Sequence, residues 1–333
     1  MTKSNAGHPS GAPHSSVSSP FPPRRRIHRR PRWRLPIAPL VIALISLSGV
    51  ALLLYPVAAS WLSAVEQARE IDSLTQDITD LGAETLRQNL VEARAYNQSL
   101  SGGGAAVAAN ERLPLADDEQ VADRERYSSL LRGDAEGLMA RIRIPAIDVD
   151  LPIFHGTSDA VLERGVGHLE GTALPVGGPS THSVLTGHRG LASAELFTHL
   201  DRVDVGDTFT IEVYGEVVTY RVRETLVVEP EDTQSLLVQP GQDLLTLVTC
   251  TPLGINTHRI LVTGERVIPT PQSDVDAAGE SPDVAGFPWW AIAAGGAVVA
   301  AGVYVWWAGR PARGAWVPVV VAGEERDRVP ADL

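Results

Sequence analysis

Residues Leu35–Val57 form a run of 23 residues without a charged side chain, entered from seven arginines between Arg24 and Arg34. As a helix the run reaches about 34 Å, enough to cross a hydrocarbon core of about 30 Å. This run constrains the chain more than any other feature, because it divides the polypeptide between two sides of a membrane. Pro36 and Pro39 stand in its first turn, where a missing N–H costs little. The run is long for the apolar part of a cleaved signal peptide, and no clear small-x-small cleavage site ends it, so it reads as an uncleaved anchor.

A second apolar span, Trp289–Trp307, is bracketed by Trp289-Trp290 and Trp306-Trp307, with Ala, Gly and Val between. Its outer tryptophans lie about 27 Å apart on a helix, which fits an interfacial aromatic belt. A buried helix of a soluble protein is the alternative for so Ala- and Gly-rich a segment. The arginines before the first span and Arg310 and Arg313 after the second predict a cytoplasmic location for both termini. The chain would then be a two-span membrane protein with residues 58–287 outside the cell membrane.

Charge follows the same division. Residues 1–34 carry eight Lys/Arg and no Asp/Glu, residues 58–287 carry 16 Arg against 36 Asp/Glu, and the whole chain has a net charge of −12. An acidic external domain excludes a nucleic-acid binder, which needs a basic face on the folded part. The single Cys excludes both an internal disulfide framework and a Cys-based zinc site.

Within the external region, Leu62, Val65, Ala68, Ile71, Leu74, Ile78 and Leu81 recur at helical spacing, continued by Leu86 and Leu90 after a break at Gly82. This reads as a juxtamembrane helical hairpin or stalk that ends at Gly102-Gly103-Gly104. Residues 105–131 are polar and read as a solvated loop or lid. From Leu138 the period becomes two. Candidate strands are Met139–Ile144, Val149–Phe154, Ser183–Thr186, Thr208–Tyr214, Val217–Arg223, Leu226–Val228, Leu244–Cys250 and His258–Val267, with a tight turn at Tyr214-Gly215-Glu216. Many short strands in so short a stretch predict an all-β closed barrel or sandwich.

Cys250 is the first candidate for chemistry. It ends the strand pattern Leu244–Thr249 just before Pro252, where a scaffold presents a nucleophile to a loop. A thiol of ordinary pKa needs a base or a cation beside it to react near neutrality. The external region offers six histidines: His155, His168, His182, His188, His199 and His258. His188 stands in Thr186-Gly187-His188-Arg189-Gly190, whose glycines permit an unusual backbone. His258 and Arg259 follow Cys250 on the next strand, and alternation lets at most one of them face the site. Arg259 is the stronger candidate for a cationic donor at a developing oxyanion, and Arg189 the weaker.

These residues resemble a known family. Thr246-Leu247-Val248-Thr249-Cys250 is similar to the TLxTC signature of sortases, and residues 246–266 resemble the Cys-to-Arg segment of the pilus-building, class C members. So do Ile144-Pro145, residues 151–157, Gly167–Thr172 with Leu174–Gly178, and residues 185–191 around His188. The resemblance runs nearly continuously over residues 138–268. It implies an eight-stranded sortase-type β-barrel and a cysteine transpeptidase, a hydrolase of the cysteine endopeptidase type. It places Cys250 as nucleophile, His188 as general acid/base and Arg259 as the oxyanion or substrate-orienting residue. Class C enzymes commonly carry a lid with an Asp-Pro-aromatic motif. Residues 97–131 contain no Asp-Pro, and Leu113-Pro114-Leu115 and Asp117-Asp118 come nearest.

The expected organisation is a disordered basic cytoplasmic tail (1–34), a transmembrane helix (35–57), membrane-proximal helices and lid (58–137), the catalytic barrel (138–268), a linker (269–287), a second transmembrane helix (288–308) and a cytoplasmic tail (309–333). The resemblance implies cleavage of an LPxTG-like sorting signal between Thr and Gly and transfer to a Lys amine of a pilin. Its alternatives are transfer to a peptidoglycan amine, which anchors surface proteins to the cell wall, and a catalytically silent, membrane-tethered interaction barrel. No cofactor and no metal is expected. The one Lys is Lys3, on the cytoplasmic side, so an acceptor Lys must come from another protein.

Overall fold

The computed structural model describes residues 33–103, 118–134, 137–283 and 286–310. The described residues form two compact units, one from Leu44 to Ala301 and one made of those up to Ala43 with those from Gly302 onward. Helix α1, Ile37–Asp80, runs 44 residues with Pro56 inside it. The apolar span and the first part of the juxtamembrane stripe are therefore one helix. Helix α2 spans Ala83–Gly103 and helix α3 spans Asp118–Ser129. The break between α1 and α2 falls at Gly82, as the sequence predicts.

Eight strands follow: β1 (Leu138–Ile144), β2 (Val149–His155), β3 (Val166–His168), β4 (Thr181–Thr186), β5 (Thr208–Val213), β6 (Glu216–Val228), β7 (Asp243–Thr251) and β8 (His258–Arg266). They close into a barrel in the order β1-β2-β3-β4-β7-β8-β6-β5. The β2–β3 pair is parallel. Parallel neighbours need a crossover, and helix α4 (Asp159–Arg164) supplies it, its first turn capped by Ser158. The β4–β7 pair is parallel too, with β5 and β6 in the intervening chain. The β5–β6 hairpin turns through Tyr214 and Gly215, both at positive φ. That is the backbone a two-residue turn needs to match the twist of its strands.

Two strand assignments differ from the sequence reading. Val217–Arg223 and Leu226–Val228 are one strand, β6, carried through the polar Glu224-Thr225 pair by a register shift between Val222 and Glu224. A bulge of this kind inserts a residue and reverses which face later side chains occupy. Val218, Tyr220 and Val222 accordingly enter the barrel interior, whereas Leu226 and Val228 join Val184, Leu236 and Leu261 in a separate apolar cluster. Strand β3 has no sequence counterpart because its three residues centre on a glycine. Gly167 is needed there, since a Cβ would lie 2.4 Å from the Gly156 carbonyl oxygen.

The helices are docked on the barrel. Ile71 and Leu74 of α1 are buried, and Leu74 packs with Leu138 and Phe154. Asn97 of α2 is buried and pairs with the backbone of Leu174 in both directions, at 3.0 and 2.7 Å. Part of the segment read as a solvated loop, 105–131, is α3, whose Tyr127 is buried in the main core with Leu130 and Leu131. Residues 104–117, with Leu113-Pro114-Leu115 and Asp117, lie outside the described residues.

After the barrel, helix α5 (Gln272–Asp276) is tied to β6 by the Thr219–Asp274 hydrogen bond of 2.7 Å. Arg141 and Arg143 of β1 donate to the carbonyls of Glu280 and Ala277, each at 2.6 Å. Arg141 is buried and also makes two 2.6 Å bonds to the Asp150 carboxylate. Helix α6 spans Trp289–Ala308. It and α1 are long and apolar enough to cross a membrane. Leu52 and Leu53 of α1 are 76% and 80% exposed, so the protein itself does not cover this apolar surface. Trp61 of α1 donates to the Gly286 carbonyl at 2.7 Å and meets the Trp290 ring edge-on.

Candidate active site

The site is built where β4, β7 and β8 end together. Strand β7 alternates Leu245, Leu247 and Thr249 inward, the first two of them in the barrel core. Leu244, Thr246, Val248 and Cys250 therefore take the outer face. Cys250 pairs directly with Arg259 across the antiparallel β7–β8 ladder, and Thr251 pairs with His258. Directly opposed residues share a face and hold their Cβ atoms about 4.5–5.5 Å apart. Arg259 is thus on the Cys250 face and His258 on the other. His258 is exposed, its ring engaged by the Thr257 hydroxyl.

His188 arrives from the other side of β7. In the parallel β4–β7 ladder, Thr186 partners Val248. The ladder continues past the end of β4: Gly187 donates to the Val248 carbonyl at 3.1 Å, and the Thr249 hydroxyl donates to the Gly187 carbonyl at 2.7 Å. His188 and Cys250 each stand two residues beyond the Thr186–Val248 pair, at matching positions along the two neighbouring segments. All three candidates, Cys250, His188 and Arg259, are half-buried. Among the described residues, neither the Cys250 thiol nor the His188 ring has a hydrogen-bond partner. The Arg259 guanidinium rests on the carbonyls of Asn256 and His258, at 3.0 and 3.1 Å.

Three of the other histidines, His168, His155 and His182, are engaged elsewhere. His168 is fully buried, its Nε2 2.8 Å from the Ala173 carbonyl and its Nδ1 2.9 Å from the Tyr127 hydroxyl. Burial pushes its pKa down to about 4. His155 lies between the carbonyls of Gly137 and Leu130. His182 is buried beside the site's floor. Its Nδ1 faces the Leu237 carbonyl at 3.1 Å and its Nε2 the Thr246 hydroxyl at 2.7 Å, with Thr263 completing the chain. Burial lowers its pKa as well. The neutral ring then donates from Nδ1 and accepts at Nε2, pinning the β6–β7 connection over the Val184–Leu236–Leu261 cluster. His182 is one of the six histidines the sequence offers and Thr246 opens the TLxTC-like run, whereas Thr263 carries no sequence signal of a role. Only its polarity inside an apolar strand marks Thr263.

Arg189, the weaker cationic candidate, does not face the reacting groups. Its side chain is 11% exposed, and its guanidinium is bonded to Thr251, Thr198 and Asp201.

Comparison with known proteins fits this architecture. A family model described as the sortase domain matches residues 142–267. Sortase D of Bacillus subtilis is 33% identical over 167 residues, which cover 49% of this chain and 81% of the relative. Sortase A of Streptococcus agalactiae is 33% identical over 127 residues, 37% of this chain and 51% of the relative. The crystal structure of sortase C1 from Streptococcus agalactiae superposes with a TM-score of 0.56 at 40% identity, covering 61% of this chain and all of that one. Sortase C of Streptococcus pneumoniae, whose structure is described as informing catalysis and pilin substrate specificity, does so at 0.51 and 35%, covering 61% and 98%.

A closed eight-stranded barrel with a thiol at the exposed end of β7 is a sortase barrel, and the chain belongs to the sortase family. Its members are cysteine transpeptidases that anchor or polymerise surface proteins. This chain is therefore one of them, and the family in general takes LPxTG-type signals as substrates and amines as acceptors. The two apolar helices fit a membrane-anchored sortase.

Proposed function

We propose that this sortase polymerises pilus subunits, using Cys250, His188 and Arg259. The observation that supports the chemistry is the register around β7: Cys250 is paired with Arg259 across β8, and His188 and Cys250 each lie two residues past the Thr186–Val248 pair of β4 and β7. The Cys250 thiolate attacks the carbonyl carbon of the signal's Thr. Arg259, freed from its two loop carbonyls, donates to the oxyanion. The C–N bond to Gly breaks, His188 gives its proton to the leaving amine, and a thioester remains on Cys250. A Lys amine of a second pilin then attacks the thioester carbonyl. His188 takes the amine's proton, the thiolate leaves, and an isopeptide bond joins the two subunits. Water in place of the amine gives hydrolysis by the same route.

Two features support the pilus class. The likeness to sortase C structures reaches 35–40% identity over nearly their whole length, and apolar spans bracket the barrel on both sides. With arginines flanking the outer ends of those spans, both termini lie in the cytoplasm and the barrel outside. The second reading is attachment of surface proteins to a peptidoglycan amine, favoured by the relatives named sortase A and sortase D.

The deciding experiment incubates the full-length enzyme in detergent with an LPxTG-bearing pilin and with peptidoglycan stem peptide, followed by mass spectrometry of the products. Thr–Lys linkage between pilins, with loss of the C-terminal Gly fragment, is the expected result. Linkage to the stem-peptide amine alone would overturn the pilus reading in favour of anchoring.

A further inference from the structure

We propose that Arg189 is a positioning residue for the transpeptidation, holding the His188 loop against the strand end that carries Cys250. The proposal rests on the assignment of Cys250 and His188 made above.

The guanidinium spends every one of its nitrogens on the protein. Nε donates to the Thr198 carbonyl at 3.1 Å, Nη1 to the Thr251 hydroxyl at 2.7 Å, and Nη2 meets the Asp201 carboxylate at 2.8 Å. Thr251 is the last residue of β7 and the immediate neighbour of Cys250. Thr198 and Asp201 belong to the segment that folds back under the His188 loop. In that segment Phe197 donates to the His188 carbonyl at 3.1 Å, and the Thr198 hydroxyl accepts from the Gly190 amide at 3.0 Å. One planar fork therefore joins three pieces of chain: the residue after His188, the residue after Cys250, and the segment supporting the first.

This arrangement matters because the ring it serves has no tether of its own. Among the described residues the His188 imidazole makes no hydrogen bond, so its reach toward Cys250 is set by its backbone. A backbone bond to Val248 and a bond from the Thr249 hydroxyl fix Gly187, on the N-terminal side of His188. On the C-terminal side, Arg189 makes the bond that reaches across to the Cys250 strand. Proton transfer between His188 and the leaving or entering amine requires hydrogen-bond distance. An error of 1 Å in such a placement costs about a hundredfold in rate. The same geometry argues against direct action of Arg189 on the oxyanion, because each of its nitrogens already has a protein partner and its side chain is 11% exposed. A lysine cannot replace it, since one ammonium cannot reach in three directions from a planar fork.

The test uses the full-length enzyme in detergent, an LPxTG peptide for steady-state cleavage, and iodoacetamide alkylation of Cys250 as a function of pH. Thr251→Val removes only the hydroxyl end of the bridge on a strand that tolerates Val. We expect kcat to fall about tenfold with KM within a factor of about two, roughly the effect of a sub-ångström shift. We also expect the pH profile of alkylation to move, which a purely structural role would not cause. Arg189→Lys should lose about a hundredfold in kcat, and adding Thr251→Val to it should cost little more, as expected for partners in one contact. A Thr251→Val enzyme with the parent's kcat and alkylation profile overturns the proposal, and so does a loss expressed in KM alone. If Cys250→Ala still cleaves the peptide, the site assignment itself falls. If Cys250→Ala is inactive while Thr251→Val behaves as the parent, only the role of Arg189 falls.

Discussion

Gly187 has no room for a side chain. A Cβ there would meet three ring atoms of Phe197 at 2.7, 2.8 and 3.1 Å, and that ring is fully buried and cannot move aside. Gly187→Ala should therefore cost about 1–3 kcal/mol, the usual penalty of overpacking, read by denaturant unfolding, and it should lower kcat by pushing the His188 loop outward. Arg259 poses a different question, because its guanidinium now sits on two loop carbonyls. Arg259→Lys should lose most of the cleavage rate, since an ammonium lacks the fork that can span carbonyl and oxyanion. A near-parent rate would make Arg259 a structural residue. At this scale the sequence was informative about Cys250, which stands alone, and about the His188 loop, which is bracketed by glycines. It was silent on which of six histidines the fold brings nearest the β7 end, because that depends on a parallel pairing 62 residues apart, Thr186 with Val248. Family resemblance, not periodicity, singled out His188. Arg189 reads from the sequence only as the weaker cationic candidate, because its partner Thr251 lies 62 positions away.

At the scale of elements, the long strands were legible because their alternation survives in the sequence. Strand β6 was not, since its bulge after Val222 reverses the alternation and the Glu224-Thr225 pair looks like a break. Strand β3 is too short and too glycine-dependent to leave a period. Helix α3 is polar along much of its length, and its membership of the core comes from Tyr127, one residue that the pattern cannot weigh. The docking of α2 shows the same dependence on single residues. Asn97 satisfies both the N–H and the C=O of Leu174 at a buried position. Asn97→Ala would leave both unpaired, at about 1–3 kcal/mol for each buried group. A loss of at least about 2 kcal/mol in urea unfolding is expected, and a change below about 0.5 kcal/mol would mean that water replaces the amide.

At the scale of the whole molecule, the segments on both sides of the acidic barrel are fastened to it. Before the barrel, α1 packs on it through Leu74. After it, residues 277–280 are held by Arg141 and Arg143. Stability against acid should be set partly by His168. Its folded-state pKa of about 4 lies below its unfolded value near 6.5, so the unfolded chain takes up the proton first. Stability is intact above about pH 6.5, falls as the pH drops toward 4, and stops falling from this source below that, with a ceiling of roughly 3 kcal/mol. Thermal midpoints measured from pH 7 to pH 4 should decline, and His168→Gln should flatten the decline. An equal slope in both proteins would assign the acid sensitivity to other groups.

The central claim is that this barrel carries acyl groups on Cys250. It is tested most directly by incubating the full-length protein with an LPxTG-like peptide in the absence of any amine acceptor, then quenching in acid and weighing the intact enzyme. The account predicts a mass increase equal to the peptide fragment ending at Thr, located on the peptide that contains Cys250 and removed by hydroxylamine. Cleavage of the substrate with Cys250 unmodified, and undiminished in Cys250→Ala, would contradict it.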